Sequence, residues 1–303
     1  MELSMVDMTT LMDRIHRIPD SLRNFTESTE RVRRFYRIPD EVFDKFLELG
    51  LPHRPGPGGE AFLFDSMDLR NIVLILGVPS PQKTALKAMS RALIEGSHAQ
   101  KIQRTVNVQG KCPDPGHDGS CEFELAAAVR NNHQVTAVRE RAPHHFEIDL
   151  VLAAVGVEYL DFSAAHQKLV DELYRIAYHH IPFSLQTDLE FLAEAQIADC
   201  RLAAHFAEHR ARELGIEVRG SSGLALSRPF SNRHFWTELK HGDKWVPIDP
   251  FYLKVLSRWG VLDETDWPPN RALLGALWRL EFDHPDDALV THRGGCDSSY
   301  ITR

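Results

Sequence analysis

Residues 233–250 read RHFWTELKHGDKWVPIDP, and the alternation in this stretch decides the fold of its region. His234, Trp236 and Glu238 fall on one face of an extended segment, and Phe235, Thr237 and Leu239 on the other. Lys240 to Lys244 reads as a turn with Gly242 at a left-handed position, and Trp245, Pro247 and Asp249 share one face of the returning strand. If His241-Gly242 is a two-residue loop, or Lys240 to Asp243 a four-residue loop, His234 stands directly opposite Asp249, with Cβ atoms roughly 5 Å apart. If Gly242-Asp243 is the loop, the pair is diagonal on one face. Only a loop with an odd number of residues separates them. Pro247 points to an edge strand or a bulge, because it cannot donate to a ladder.

Working back along the chain, Leu202, Ala203, Phe206, Ala207, Ala211 and Leu214 recur at helical spacing between Arg201 and Leu214, and Gly215 is placed to end the helix. Asp199 reads as the N-cap. Cys200 then falls in the first turn, where unpaired backbone N–H groups and the positive end of the helix dipole favour a thiolate. The plainer reading of Cys200 is a small buried apolar residue. A cysteine, a histidine and an aspartate in this order are the parts of a thiol acyl-transfer site. His234 serves as base, Asp249 orients and charge-stabilises the imidazole, and Cys200 attacks an acyl carbon to give a thioester. The Cys200 N–H and Gln196 are candidate oxyanion donors, and Phe235 and Trp236 are candidate walls of an acyl channel.

These motifs resemble the transglutaminase-like superfamily. The family's cysteine helix is followed by a Gly-Ile-x-x-Arg segment, here Gly215 to Arg219. Its histidine sits in a His-aromatic-Trp-x-Glu strand, here His234 to Glu238, and its aspartate in Trp-x-Pro-x-Asp-Pro, here Trp245 to Pro250. The resemblance covers roughly residues 160 to 255. It implies an α+β fold with a papain-like core, the cysteine helix on an antiparallel sheet, after a mixed and largely helical N-terminal region. It also implies catalysis by Cys200, His234 and Asp249, an acyl donor (a peptide, a glutamine amide or a carrier-bound thioester) and an amine acceptor. A cysteine peptidase or amidase with water as acceptor is the second reading, and a catalytically silent binding module the third. The expected organisation is residues 1–150 as an N-terminal region, 151–260 as the catalytic core and 261–303 as a C-terminal extension.

Composition fits a soluble enzyme without naming its substrate. The chain has 303 residues, 43% hydrophobic and 26% charged, enough for a sizeable core. A net charge of −8 and no lysine or arginine run longer than two argue against a nucleic-acid role. No stretch approaches a membrane span; the longest apolar run, Asn71 to Gly77, reads as core. The first residues lack a secretory signal, and four cysteines do not make a disulfide scaffold, so a cytoplasmic setting is expected. No cofactor is called for, and the oligomeric state is left open.

Upstream, Thr29 to Tyr36 and Asp40 to Leu49 read as helices, Leu51 to Gly59 as a loop or hinge, and Ser80-Pro81 as the capped start of a helix running to about Glu95. Short strands follow at Ile102 to Val108, Cys121 to Leu125, Gln134 to Val138 and Phe146 to Leu152. Ala164 to His180 reads as one helix, and Thr187 with Glu190 as a capping box for the short helix before the cysteine. Arg31, Arg33, Arg34 and Arg37 form a basic patch best read as a solvated helix face. Cys112, His117 and Cys121, in the Pro/Gly-rich stretch CPDPGHDGSC, are three potential zinc ligands to be completed by His144 or His145. Their spacing fits no common zinc template, so a solvent loop without metal is the expectation. The adjacent pairs His144-His145 and His179-His180 face different ways and do not share a metal.

Overall fold

The computed structural model describes residues 5–56, 62–77, 80–97, 101–112, 121–153, 157–229, 231–282, 287–292 and 297–302. The fold is α+β, with helices beside antiparallel sheets. The chain divides into two compact units, each made of two stretches: Met1–Thr84 with Val170–Phe206, and Ala85–Leu169 with Ala207–Arg303.

In the first unit, helices Met5–His16, Asp40–Glu48 and Ser66–Leu76 bury Leu11, Ile15, Phe43, Phe46, Leu69 and Ile72 in one core. The run at Asn71 to Gly77 belongs to the third of these helices, capped by Asp65, whose side chain accepts from the Met67 and Asp68 N–H groups. Thr29 to Tyr36 is helical, first as Thr29–Arg31 and then as a wider turn over Val32–Tyr36. The expected hinge contains a short strand, His53–Pro55, paired with Phe62–Asp65; its residues 57–59 lie outside the described residues.

The segment Val170–Phe206 is fastened to this core. Asn71 reads its backbone as a strand would: its side-chain amide donates to the His180 carbonyl at 3.0 Å, and its carbonyl accepts the His180 N–H at 2.8 Å. The helix expected to run to His180 stops at Leu173, because Ala177–Tyr178 pair in parallel with Ile197–Ala198. Ile176 and Ala177 are both buried and, after Leu169, Val170 and Leu173, continue the spacing of an apolar helix face. The short helix Leu189–Ala195 is capped by Asp188, whose carboxylate accepts the Phe191 N–H at 2.9 Å, one residue later than the expected Thr187.

In the second unit, a four-stranded sheet runs in the order Lys244–Ile248, Asn232–His241, Val218–Ala225, Leu277–Arg279. A second four-stranded sheet contains Lys101–Lys111, Val135–Ala142 and His145–Ala153, and pairs its first strand with Asp297–Thr302. Val106, Val108, Ile148, Leu150, Leu224 and Trp278 belong to one core cluster. The helix Pro81–Ser97 starts as expected, with the Ser80 hydroxyl accepting the Lys83 N–H at 3.2 Å. Pro247 lies on the edge strand, where a missing donor costs no ladder bond.

Candidate functional site

Cys200 is the first residue of the helix Cys200–Glu213 and is partly exposed. Its position is set locally. Strand Ile197–Ala198 ends in Asp199, a buried N-cap whose Oδ1 accepts the Arg201 and Leu202 N–H groups at 3.1 and 3.0 Å. The cap thus takes the second and third N–H groups of the helix and leaves that of Cys200 out. Asp199 Oδ2 accepts the Gln186 amide at 2.6 Å. Burial pushes the Asp199 carboxyl up to about 6, against the downward pull of these donors. At its far end the helix closes in a Schellman motif: Gly215 sits at φ +70°, its N–H reaches the Arg212 carbonyl at 3.0 Å, and the Ile216 N–H reaches Ala211 at 2.8 Å.

Gln196 is not a helix glutamine one turn ahead of the cysteine. It terminates the helix Leu189–Ala195 in a left-handed conformation, φ +51°, and its side-chain nitrogen donates to the Leu192 and Ala193 carbonyls at 3.2 and 3.0 Å. Those bonds turn the amide back onto its own helix, so its donor is spent there.

His234 and Asp249 meet in the second unit. The imidazole Nε2 and Asp249 Oδ2 are 2.9 Å apart, with both residues buried, at 4% and 7% exposure. Pairing of His241 with Lys244 and of Thr237 with Ile248 makes Gly242-Asp243 the loop. Direct opposition of His234 and Asp249 is therefore replaced by the diagonal arrangement on one face. The physical reason is the turn: Gly242, at φ +57°, fills the first central position, where a type II′ hairpin needs glycine. Asp249 lies just past the strand and caps the helix Pro250–Arg258. Its Oδ1 accepts the Tyr252 N–H at 2.8 Å, and Pro250 takes the first helical position. One carboxylate therefore starts a helix with one oxygen and holds the imidazole with the other.

The rings around His234 restrict it further. Trp236 lies parallel, with centroids 6.1 Å apart, and Tyr252 lies tilted at 4.6 Å. Trp236 is only 1% exposed and belongs to a core cluster with Leu253, Leu256 and Trp267, so it backs the imidazole from the core. Opposite His234 on the neighbouring strand stands Gly223, where a Cβ would come 2.0 Å from the Trp278 carbonyl oxygen. No side chain fits at Gly223, because the backbone of the strand on its other side, Leu277–Arg279, lies against it. The sequence reading singled out neither Tyr252 nor Gly223; a glycine inside a strand pattern was the available signal for the second.

The three sequence motifs also join physically. Arg219 pairs across strands with Glu238, its Nε donating to Oε2 at 2.5 Å, and its guanidinium lies over the Trp245 ring at 4.8 Å. The arginine of the first motif, the glutamate of the second and the tryptophan of the third are thus one cluster on adjacent strands.

The site elements define a class: a thiol at a helix start followed in the chain by a sheet-borne, carboxylate-held histidine. Residues 160–250 match the family model described as the transglutaminase-like superfamily, and that segment, which holds Cys200, His234 and Asp249, is transglutaminase-like. A solved structure titled "Crystal structure of a TGase" aligns with 38% of this chain and 43% of its own, at 13% identity and a TM-score of 0.22. None of the curated proteins compared with the chain matches it. The superfamily points in general to cysteine-dependent acyl transfer or hydrolysis. Among the described residues no helix is long and apolar enough to cross a membrane.

Proposed function

We propose that the chain is a papain-like thiol acyltransferase that carries an acyl group on Cys200 and delivers it to an amine. The observation that carries this reading is the buried 2.9 Å contact between His234 and Asp249, two residues of the same family segment as the helix-start cysteine. With Nε2 engaged by the carboxylate, the tautomer that donates from Nε2 leaves the basic lone pair on Nδ1. Nδ1 takes the Cys200 thiol proton. The thiolate adds to the acyl carbon and forms the C–S bond; the tetrahedral intermediate then breaks its bond to the donor's leaving group, which takes the imidazolium proton, and the thioester remains. The acceptor amine then attacks the thioester, loses a proton to the imidazole, and releases the thiol. The Cys200 N–H, outside the Asp199 cap, is the candidate donor to the oxyanion; such a donor contributes about 3 kcal/mol in acyl-transfer enzymes.

The test is incubation of the full chain with glutamine peptides or acyl thioesters, with and without a primary amine, followed by mass spectrometry. The expected result is an acyl adduct on Cys200 that is converted to amide when amine is present. Acid product alone, undiverted by amine, would make the chain an amidase or peptidase with the same residues. No adduct with any donor, and none trapped by iodoacetamide at Cys200, overturns the thiol mechanism.

A further inference from the structure

A second group of soft ligands lies outside the transglutaminase-like segment, and we propose that Cys112, Cys121 and His292 form a zinc site. One donor atom from each, two thiol sulfurs and an imidazole nitrogen, lie within 4.8 Å of one another, and all three residues are partly buried. Around a tetrahedral zinc, with Zn–S of about 2.3 Å and Zn–N of about 2.0 Å, such donors stand about 3.5 to 3.8 Å apart. Closing the set takes a contraction of about 1 Å, within reach of side-chain rotation.

Strand pairing builds this corner. The strand Lys101–Lys111 ends one residue before Cys112, and Phe123–Leu125 begins two residues after Cys121. Val290–His292 pairs antiparallel with the latter, placing His292 across from Phe123. The Phe123 ring lies edge-on to His292 with centroids 5.0 Å apart. At Gly110, two residues before Cys112, a Cβ would come 2.4 Å from the Phe123 ring and 3.0 Å from a Val290 methyl. The Phe123 and Val290 side chains thus occupy the space a side chain at Gly110 would need, over a core containing Val108, Leu125 and Val290.

The histidine in this group is His292. His145 Nε2 is 2.9 Å from Asn107 Oδ1, and His117 lies outside the described residues. Two thiolates and an imidazole suit zinc; magnesium and calcium take oxygen ligands. Bound there, zinc would clip the strand Val290–His292 to the end of Lys101–Lys111. Both cysteines would release their protons on binding, so affinity rises with pH. The site is independent of the acyl-transfer reading, since none of its residues falls in the matched segment.

The experiment uses the full chain, reduced, stripped by a chelator and returned to chelator-free buffer. It is titrated with zinc in competition with a chromophoric chelator, and separately with cobalt(II) as a spectroscopic probe. One zinc per chain and a thiolate-to-cobalt charge-transfer band are expected. Cys112→Ser, Cys121→Ser and His292→Gln should each weaken zinc binding at least about 100-fold. His292→Cys should keep the metal and strengthen the charge-transfer band, which separates ligand loss from misfolding, and Cys200→Ser should bind one zinc as before. The proposal is overturned if the reduced chain binds no zinc, if binding survives Cys112→Ser and Cys121→Ser, or if it is lost only with Cys200. A Cys112–Cys121 disulfide in chain purified under reductant would overturn it equally.

Discussion

His234 and Asp249 owe their meeting to strand register and a helix that begins on the carboxylate, whereas Cys200 follows directly on the residue that caps its helix. The first arrangement is cooperative: moving a strand by one residue would carry the histidine to the other face. The second is modular, since a capped helix start presents its first residue in one way wherever it occurs. The two regions should therefore respond differently to mutation. Damage to the sheet should cost activity and stability together, and damage to the cap should cost a little stability.

The largest effect is expected at Asp249, which serves both the site and the fold. Asp249→Asn keeps an oxygen for the Tyr252 N–H but removes the carboxylate from His234. Turnover should fall by on the order of 10²- to 10⁴-fold with little change in thermal midpoint. Asp249→Ala should lose the same activity and a further ~1 kcal/mol of stability, the usual worth of an N-cap. Equal stability in the two variants would contradict the cap assignment. Next comes Gly223→Ala, where the new methyl collides with the Trp278 carbonyl. A loss of roughly 3 kcal/mol in chemical denaturation is expected, and a near-wild-type midpoint would mean that the sheet yields more easily than its register suggests.

The first unit should show its character in acid. Burial lowers His179 to about 3 and His180 to about 4, while it raises Asp68 and Asp199 to about 6 each. The histidines give stability that is complete above their ordinary value of about 6.5 and is lost as pH falls. The two acids act in the opposite sense: their contribution is complete below about 4 and is lost as pH rises through 6. Between about pH 4 and 6 the pairs oppose one another, each group at roughly 1.4 kcal/mol per pH unit. Asp68→Asn removes one opposing acid. Relative to wild type, its stability should fall toward acid at about that slope in urea titrations, and parallel curves would refute the assignment. The smallest change is expected at the cysteine helix, where Asp199→Ala should cost about 1 kcal/mol and Asp199→Asn very little.

The comparison also explains what was legible in the sequence. The cysteine helix obeyed local chemistry, from the Asp199 cap to the Gly215 terminus, and could be read directly. The shared face of His234 and Asp249 was legible because any even loop preserves it, but the register was not, because His241-Gly242 and Gly242-Asp243 both offer a glycine. Only the observed hairpin gives that glycine the first central position. Gln196 was misread because burial of Ile197 and Ala198 in a parallel strand pair requires the helix to end before them. The bond that fastens residues 170–206 to the first core was hidden for the same reason: Asn71 and His180 are far apart in sequence and bonded in space. His292, which no local pattern joins to Cys112, is the clearest instance, since only its pairing with the Phe123 strand brings it there.

The central claim is that Cys200 and the His234–Asp249 pair act as one catalytic group, and alkylation of Cys200 by iodoacetamide tests it most directly. Rates are measured across pH by intact mass for wild type, His234→Gln and Asp249→Asn. At mildly acidic pH His234→Gln is expected to slow labelling of Cys200 on the order of 100-fold, and Asp249→Asn to slow it in the same direction by no more than that. Superimposable pH profiles for the three proteins would contradict it.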